Sequence, residues 1–375
     1  MQDRARYWLR RIQALPLAGP VRIMNVCGGH ERSIAMAGLR SLLPPAVQLI
    51  PGPGCPVCIC PEEDIDQAMQ WALHHDAIVA SFGDMLRVPV NVSRGEVNSL
   101  AAARAAGAEV QAIASPTEAV RIARENPERT VVFHVVGFET TMAPIAAMIV
   151  EGLPANLLLL VSGRLTWPAV AMLLDSPDAG LDALIAPGHV ATVMGPEEWA
   201  FVPRRHRIPV AIAGFTADSL LEAIHAVLVQ SIEGQSSLTN CYAAAVRPGG
   251  NRLARRLIAQ AFDVADAPWR GIGTIARSGY SLKPGFDAHD ARRVLPLAAA
   301  RRRSDEMPAG CDCARVVLGK ISPPACRLYG SACRPASPIG PCMVSDEGAC
   351  RIWWAAGLHR RTPSDTSFSA ANGCN

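Results

Sequence analysis

The segment TVVFHVVGFETT, residues 130–141, decides the fold of this chain. Its first seven residues are mostly β-branched or otherwise apolar on both faces, as in a strand buried inside a parallel sheet. Glycine and polar residues follow directly, and in open α/β sheets ligands bind outside the carboxyl ends of the strands. The segment therefore predicts a buried strand that carries Glu139 to the edge of a ligand cleft.

Segments of the same kind recur on both sides of it and alternate with segments of helical character. A capping box at Ser115 and Glu118 predicts a helix around residues 119–125, and residues 217–230 have helical periodicity. The alternation predicts an α/β fold with largely parallel sheets. The other predicted strands are residues 21–26, 47–50, 77–81, 109–113, 156–161, 182–186, 209–213 and 271–276.

The chain has 375 residues, of which 50% are hydrophobic and 18% are charged. This size allows two or three domains with cores of their own. We expect one α/β domain over residues 1–150, a second over 151–290, and a small cysteine-rich iron–sulfur domain over 291–375. Proline, glycine and cysteine are dense in the last of these, and so short a region generally needs a metal or cross-links for stability.

The composition also predicts where the protein works. The net charge of +3 is too small to indicate a nucleic-acid partner. The N-terminus lacks the apolar core of a secretory signal, and no apolar run is long enough to span a membrane. We therefore expect a soluble cytoplasmic protein without nucleic-acid or membrane partners, in which clustered cysteines form metal or redox sites.

Functional residue types follow directly after several predicted strands. Cys27 begins the motif CGGHE (27–31), where the N-terminus of a following helix would stabilise its thiolate and lower its pKa. Asp84 follows the third strand and Glu139 follows the fifth. These two carboxyl groups either cap helices or position and protonate reaction intermediates.

The proline- and glycine-rich run PGPGCPVCICP, residues 51–61, contains the pattern C-x-x-C at Cys55 and Cys58. The pattern indicates a redox dithiol or part of an iron site. A structural zinc site is the alternative, but it would need a further cysteine or histidine from the neighbouring motifs.

The C-terminal region contains six cysteines at irregular spacings. No zinc-finger spacing fits them well, whereas the four thiolates of a [4Fe–4S] cluster can come from irregular spacings. We therefore expect a [4Fe–4S] cluster, with structural zinc as the alternative. The spacing leaves open which four of the six are ligands: Cys311, Cys313, Cys326, Cys333, Cys342 and Cys350.

Together these motifs resemble the HypD family of hydrogenase maturation proteins, which work on the iron–cyanide–carbonyl part of the [NiFe] hydrogenase centre. The matching motifs run in order through nearly the whole chain. Besides CGGHE, they are GPGCPVC (52–58), FGDMLRVP (82–89), GFETT (137–141), PGHV (187–190), WRGIG (269–273) and GPCMVSDEGAC (340–350).

The resemblance implies an accessory scaffold with redox activity rather than a conventional enzyme. On a complex with the small chaperone HypC, an iron ion would acquire cyanide and carbon monoxide, and HypE would supply the cyanide. The finished Fe(CN)2CO group would pass to the hydrogenase large-subunit precursor. A thiol–disulfide oxidoreductase that works alone and a zinc-stabilised interaction module are the competing interpretations.

The resemblance also implies roles for individual residues. Cys27 would bind the iron together with a cysteine of HypC, with His30 close by, and Cys55 and Cys58 would form the thiol pair near this site. Electrons would pass to that pair from the cluster. Its implied ligands are Cys313, Cys326, Cys333 and Cys350, with Cys311 and Cys342 as the alternatives.

The chain departs from the family pattern in several places, among them two cysteines and Ala314, which stands where glycine is usual. Cys60 stands where a small or hydroxyl residue is expected, and Cys241 stands where a polar residue is expected. All the motif cysteines remain, so we expect the function to be retained.

Overall fold

The computed structural model describes residues 3–93, 95–297 and 307–358, and its strands alternate with helices over most of this length. The strands are β1 (Val21–Asn25), β2 (Val47–Pro51), β3 (Ile78–Phe82), β4 (Val110–Ile113), β5 (Val131–Gly137), β6 (Leu157–Gly163), β7 (Ala183–Pro187), β8 (Val210–Ala213), β9 (Leu238–Asn240), β10 (Phe262–Trp269) and β11 (Gly273–Leu282).

The helices connect these strands and also occur before β1 and after β11. They are α1 (Asp3–Gln13), α2 (Gly28–Met36), α3 (Leu39–Leu42), α4 (Pro56–Ile59), α5 (Glu62–His74), α6 (Leu100–Ala105), α7 (Pro116–Glu125), α8 (Glu139–Glu151), α9 (Thr166–Leu174), α10 (Gly188–Met194), α11 (Ala217–Ile232), α12 (Arg252–Ala261), α13 (Ala291–Val294), α14 (Cys313–Val317) and α15 (Ala349–Ala355). Short 3-10 or π segments cover Gly83–Arg87, Pro196–Trp199, Val202–His206, Pro284–His289, Pro323–Ala325 and Pro341–Met343.

Two parallel sheets organise the molecule. In the first, the strand order is β2-β1-β7-β8-β9, and Val21 of β1 pairs with Val47 of β2. In the second, the order is β4-β3-β5-β6, and all seven residues of β5 are buried. Helices cover the sheets, as the continuous apolar strands require. The predicted α/β fold with two parallel sheets and a cysteine-rich C-terminal region is confirmed.

The two sheets interleave along the chain. The first combines β1 and β2 with β7, β8 and β9 from much later in the sequence, and β6 pairs with β5 of the second sheet. The boundary expected at residue 150 therefore does not separate one sheet from the other. Parallel strands are joined by crossover connections, so sheet neighbours need not be close in sequence.

The local helix signals match the structure closely. Helix α7 begins with the predicted capping box, in which Glu118 Oε1 accepts the backbone N–H of Ser115 at 2.9 Å. Helix α11 extends the predicted helical segment by only two residues, to Ile232. Both signals depend on neighbouring residues alone, so the sequence was sufficient to find them.

Residues 271–276 do not form the buried parallel strand that we expected. They begin in a turn and continue into β11, which pairs antiparallel with β10 as a hairpin. Half of β11 is exposed, unlike the fully buried β5 and β6. The prediction failed because a short apolar run does not distinguish a central strand from one strand of a hairpin.

The described part of the cysteine-rich region packs against the CPVC loop. One apolar core contains Cys55 and Cys58 together with Cys313, Cys342 and Cys350. The region has little regular structure of its own, as its density of proline and glycine predicts. None of the helices in the described ranges is long and apolar enough to cross a membrane.

Candidate functional site

The strand order of the first sheet reverses between β1 and β7, and Cys27 lies close to this point, just after β1. Connections lead away from such a point in opposite directions, which leaves a crevice at the strand ends. Cys27 has extended backbone angles, φ -159° and ψ 129°, and is the N-cap of α2. The fold therefore places this thiol where open α/β sheets bind ligands.

Cys27 lines a narrow cleft together with Cys55 and Cys58. Val317 and Ala349, both from the cysteine-rich region, line the same space, which we call the Cys27 cleft. Gly54 permits the close approach of the CPVC loop, because a Cβ at that position would overlap the backbone of Cys27. Three cysteines from two separate motifs thus meet in one place.

Cys55 and Cys58 form a disulfide bond. Cys55 is the N-cap of α4, and its Sγ accepts the backbone N–H of Cys58 at 3.1 Å. Both residues are nearly fully buried, with 4% and 1% of their surface exposed. In this oxidised state neither sulfur is a thiolate, so neither can serve as a metal ligand.

The pKa of Cys27 is raised, whereas the sequence analysis predicted that it would be lowered. Burial of the thiol raises it to about 12, and the charge of Glu347 contributes in the same direction. The backbone N–H groups of Gly29 and His30 oppose this rise, as the start of a helix should. The prediction failed because desolvation outweighs the helix N-terminus once the thiol is enclosed.

Glu347 is a candidate that the sequence analysis did not single out, although it lies within GPCMVSDEGAC. Its backbone lies against Gly28, and it lines both the Cys27 cleft and a second cavity at the carboxyl end of β3. Glu347 is an exposed residue, yet burial of its carboxyl group and the charge of Asp84 raise its pKa to about 7. Such a group is suited to exchange protons near neutral pH.

The structure separates the two carboxyl groups that follow predicted strands. Asp84 lines the second cavity beside Glu347 and accepts the backbone N–H of Asp346 at 3.1 Å. Glu139 is fully buried, and its two oxygens accept the N–H and the Oγ1–H of Thr166 at 2.7 Å each. It therefore caps α9 and does not line the Cys27 cleft. Burial raises the pKa of Glu139.

His30 lies in the first turn of α2 and is fully buried. Its Nε2–H donates to the carbonyl oxygen of Ala213 at 3.0 Å, which leaves a lone pair on Nδ1. Within the described residues, this Nδ1 has no hydrogen-bond partner. Burial lowers the pKa of His30 to about 4, so the imidazole is neutral at physiological pH, which is the form that binds metals.

Glu31, the last residue of CGGHE, connects two parts of the molecule. Its buried carboxylate accepts hydrogen bonds from Arg40 at 2.8 Å, from Asn25 at 3.1 Å and from Trp353 Nε1 at 2.6 Å. Trp353 belongs to α15, so this bond ties the helix that begins after Cys27 to the cysteine-rich region. Both oxygens of the Glu31 carboxylate thus accept hydrogen bonds from the protein, which indicates a structural role.

The six C-terminal cysteines converge, and we call them the cysteine group. Cys313 interacts with both Cys311 and Cys342, and Cys342 also interacts with Cys350. Gly340 makes room for this arrangement, because a Cβ there would overlap the sulfurs of Cys311 and Cys313. Interactions with Cys313 and Cys342 lower the pKa of Cys350, although it is buried.

Cys326 and Cys333 complete the cysteine group, since both interact electrostatically with its central members. The Sγ of Cys333 also accepts the backbone N–H of Ile339 at 3.4 Å. Cys311 and Cys342, which the resemblance left as alternatives, are as much a part of the group as the four implied ligands. The structure therefore does not reduce the six to four.

The cysteine group fits an iron–sulfur cluster, because such a cluster binds through four thiolates and the group contains six cysteines. As they stand, the thiols interact with one another. Across the described ranges, no group of three or more histidine, cysteine, aspartate or glutamate side chains is arranged to hold a metal ion. The thiols would have to exchange these mutual interactions for metal bonds.

The two unexpected cysteines lie outside the Cys27 cleft. Cys60 is fully buried, and its Sγ lies 3.7 Å from Nε2 of His134. Burial raises the pKa of Cys60 to about 12, and it does the same for Cys241. Both are therefore protonated, unreactive thiols in this state.

The family model named HypD, described as hydrogenase formation hypA family, matches residues 3–357. The chain is 40% identical over 350 residues to the hydrogenase maturation factor HypD of Azotobacter vinelandii, covering 91% of this chain and 90% of that protein. It is 40% identical over 340 residues to the HypD of Escherichia coli (strain K12), covering 89% of each. A hydrogenase expression/formation protein of Methanocaldococcus jannaschii is 35% identical over 337 residues, 89% of this chain and 91% of that protein. The chain belongs to the HypD family of hydrogenase maturation factors.

Proposed function

We propose that this chain is the scaffold on which the Fe(CN)2CO group of a [NiFe] hydrogenase is assembled. Family membership supports the general role in hydrogenase maturation. The observation that carries the specific proposal is that Cys27 shares one enclosed cleft with the Cys55–Cys58 disulfide. A soft metal ligand beside a redox pair suits an iron ion whose ligands must be added under reducing conditions.

The iron ion is cargo, which Cys27 would hold from within the cleft; we assign His30 as a further ligand on the resemblance alone, since it does not line the cleft. A thiolate and a neutral imidazole are suitable ligands for iron(II). The thiol of Cys27 is protonated in the metal-free chain, so binding would release its proton, and Glu347 is placed to accept it. Asp84 would favour this proton transfer, because its charge raises the pKa of Glu347.

Two ligands from this chain leave the coordination of the iron incomplete. We assign the completion to a cysteine of a HypC-type chaperone, with cyanide delivered by HypE and the product passed to the hydrogenase large-subunit precursor. These partners are those that membership of the family implies. We therefore also propose that the chain works in the cytoplasm, where thiols stay reduced.

A [4Fe–4S] cluster in the cysteine group would supply electrons for this assembly. We assign Cys313, Cys326, Cys333 and Cys350 as its ligands, in keeping with the resemblance. The shared apolar core of the cysteine group and the CPVC loop supports electron transfer to Cys55 and Cys58. Six single cysteine-to-serine variants, assayed for bound iron and sulfide, test the assignment: four should lose the cluster, and those at Cys311 and Cys342 should keep it.

The decisive experiment is the infrared spectrum of the chain, purified without oxygen from cells that co-produce the partners, beside a Cys27→Ala variant. Cyanide and carbonyl stretching bands in the parent chain, and their loss in the variant, are expected. Cys241→Ala is the matched control, because it removes a thiol that is partly buried, like Cys27, but lies outside the Cys27 cleft. Bands that survive in Cys27→Ala would refute the assignment of Cys27 as the iron ligand.

A thiol–disulfide oxidoreductase that works alone is the second candidate, and the formed disulfide favours it. That function would need only the CPVC loop and an electron source. It predicts turnover of a disulfide substrate by the chain alone, unaffected by Cys27→Ala. Absence of infrared bands, together with such turnover, would establish this second function.

A further inference from the structure

The imidazole of His30 is held by two contacts at the end of β8. Its Nε2–H donates to the carbonyl oxygen of Ala213, and its ring packs against that of Phe215, with 4.7 Å between the ring centroids and 34° between the planes. Its Nδ1 has no hydrogen-bond partner among the residues that the structure describes. Phe215 therefore limits rotation of the imidazole and so the direction in which the free nitrogen points.

Phe215 also lies close to the sulfur of Cys27. A Cβ at Gly29 would lie 2.9 Å from the ring of Phe215 and 3.5 Å from Sγ of Cys27, so the ring and the sulfur flank the same point at the start of α2. Glycine at this position leaves room for the ring. Phe215 thus approaches the Cys27 thiol from the end of β8, whereas the CPVC loop approaches it from the end of β2.

Phe215 is itself held in place by its surroundings. Its carbonyl oxygen accepts the Oγ–H of Ser33 in α2 at 2.7 Å. Its ring stacks on the imidazole of His189, with 3.8 Å between the centroids and 25° between the planes. His189 is exposed, Phe215 is half-buried and His30 is fully buried, so the three rings lead from the surface inward. The PGHV and CGGHE motifs thus meet on this one ring.

We propose that Phe215 is a positioning residue, which orients the imidazole of His30 for iron and keeps water away from Cys27. The inference rests on the iron role given to these two residues above. A phenyl ring carries no metal ligand, so Phe215 acts through its neighbours. The groups around the ligands of a metal fix their orientation, and an apolar surround limits the access of solvent. Phe215 provides both, because it touches the imidazole and flanks the thiol.

Protection of Cys27 by iron(II) measures both effects at a single residue. The full chain is incubated without oxygen in a series of iron(II) concentrations, treated with iodoacetamide at one fixed pH, and digested with trypsin. The tryptic peptide of residues 23–32 contains Cys27 and no other cysteine, so mass spectrometry of this peptide reports the alkylation of Cys27 alone. The rate without iron measures access to the thiol. The iron(II) concentration that halves the rate measures affinity, because a thiolate bound to a metal is not free to react.

Three substitutions separate the orientation of His30 from access to Cys27. Phe215→Leu keeps the apolar bulk but loses the flat ring, so the half-protecting iron(II) concentration should rise about fivefold, while the alkylation rate without iron stays close to that of the parent chain. Phe215→Ala should raise both the half-protecting concentration and the rate without iron. Phe215→Tyr keeps the ring and should match the parent chain in both measurements.

Phe201→Ala is the matched control. Phe201 is also half-buried and also contacts an imidazole, that of His206, with 6.1 Å between the ring centroids, but it does not line the Cys27 cleft. This variant should match the parent chain. In a His30→Gln background, Phe215→Leu should not raise the half-protecting concentration further, because the imidazole that Phe215 positions is already absent.

Equal half-protecting concentrations in Phe215→Leu and the parent chain would overturn the inference, as would an equal effect of Phe215→Leu with and without His30. If Phe215→Ala fails to fold, Phe215→Leu and Phe215→Tyr still decide it. Iron(II) that never protects Cys27 in the parent chain would overturn the iron role of Cys27 and the inference with it. Protection in the parent chain without an effect of Phe215→Leu would overturn the inference alone, so the two failures are distinguishable.

Discussion

The bond between Trp353 and Glu31 gives the sharpest test of how the cysteine-rich region is attached. Trp353→Phe removes the Nε1–H that donates to the buried carboxylate at 2.6 Å and retains an aromatic ring. A hydrogen bond to a charged group contributes about 1.5–3 kcal/mol. Glu31 keeps its bonds from Arg40 and Asn25, so the lower part of that range is expected.

The smaller ring also leaves a cavity, and its cost must be removed from the comparison. Trp199→Phe provides this control, because Trp199 is likewise buried and its Nε1 has no partner in the part of the chain that the structure describes. Both substitutions lose the same volume, but only one loses a hydrogen bond. The difference between them in free energy of unfolding should therefore be about 1.5–2 kcal/mol.

The assay is urea denaturation followed by far-ultraviolet circular dichroism, which does not depend on the tryptophan removed. Equal slopes with urea are required for the difference in midpoints to be a difference in stability. The double variant Glu31→Gln, Trp353→Phe should be less destabilised than the sum of its single variants. Equal destabilisation by Trp353→Phe and Trp199→Phe, or strict additivity with Glu31→Gln, would refute the reasoning.

Three further predictions concern the neighbouring groups. In the metal-free chain, Glu347→Gln should lower the pKa of Cys27 and increase the rate of its alkylation by iodoacetamide about threefold at pH 8. At pH 6 Glu347 is already protonated, so the alkylation rates of the parent chain and the variant should agree. Gly54→Ala should reduce the free energy of unfolding by about 3 kcal/mol, measured in urea, whereas Gly83→Ala, with open space around it, should have little effect. Burial lowers the pKa of His134 from 6.5 to about 4, so the stability it contributes is present above pH 6.5 and is lost as pH falls toward 4. The thermal midpoint should fall over this pH window, and it should fall less steeply in His134→Gln. Equal slopes of midpoint against pH in the parent chain and the variant would show that His134 does not cause the loss of stability.

The strands of the two sheets were predictable because a buried strand consists of consecutive apolar residues. Strands β5 and β6 are buried at every position and correspondingly apolar. Their order was not predictable, because β1 lies between β2 and β7 through contacts between residues far apart in sequence. The half-buried residues of β9 gave no comparable signal, which is why that strand was missed.

The candidate site was predictable where its chemistry is local. Cys27 and the CPVC loop each follow a strand, and the carboxyl ends of neighbouring parallel strands lie at one edge. Glu347 reaches that edge from an irregular segment, so no periodic pattern could place it. Glu139 also follows a strand, but its carboxylate accepts hydrogen bonds from the N–H and hydroxyl of Thr166. This contact depends on where α9 begins.

The pKa of Cys27 was expected to be lowered by the helix N-terminus, but burial raises it. A helix N-terminus open to water would hold a thiolate, which is the form that oxidants attack. Enclosure by the CPVC loop and Glu347 keeps the metal-free thiol protonated instead. In the proposed role, a divalent iron ion would supply the positive charge that stabilises the thiolate, so metal binding itself would remove the proton. The same enclosure that makes Cys27 unreactive when the site is empty would then exclude water from the iron and strengthen its bond to the thiolate.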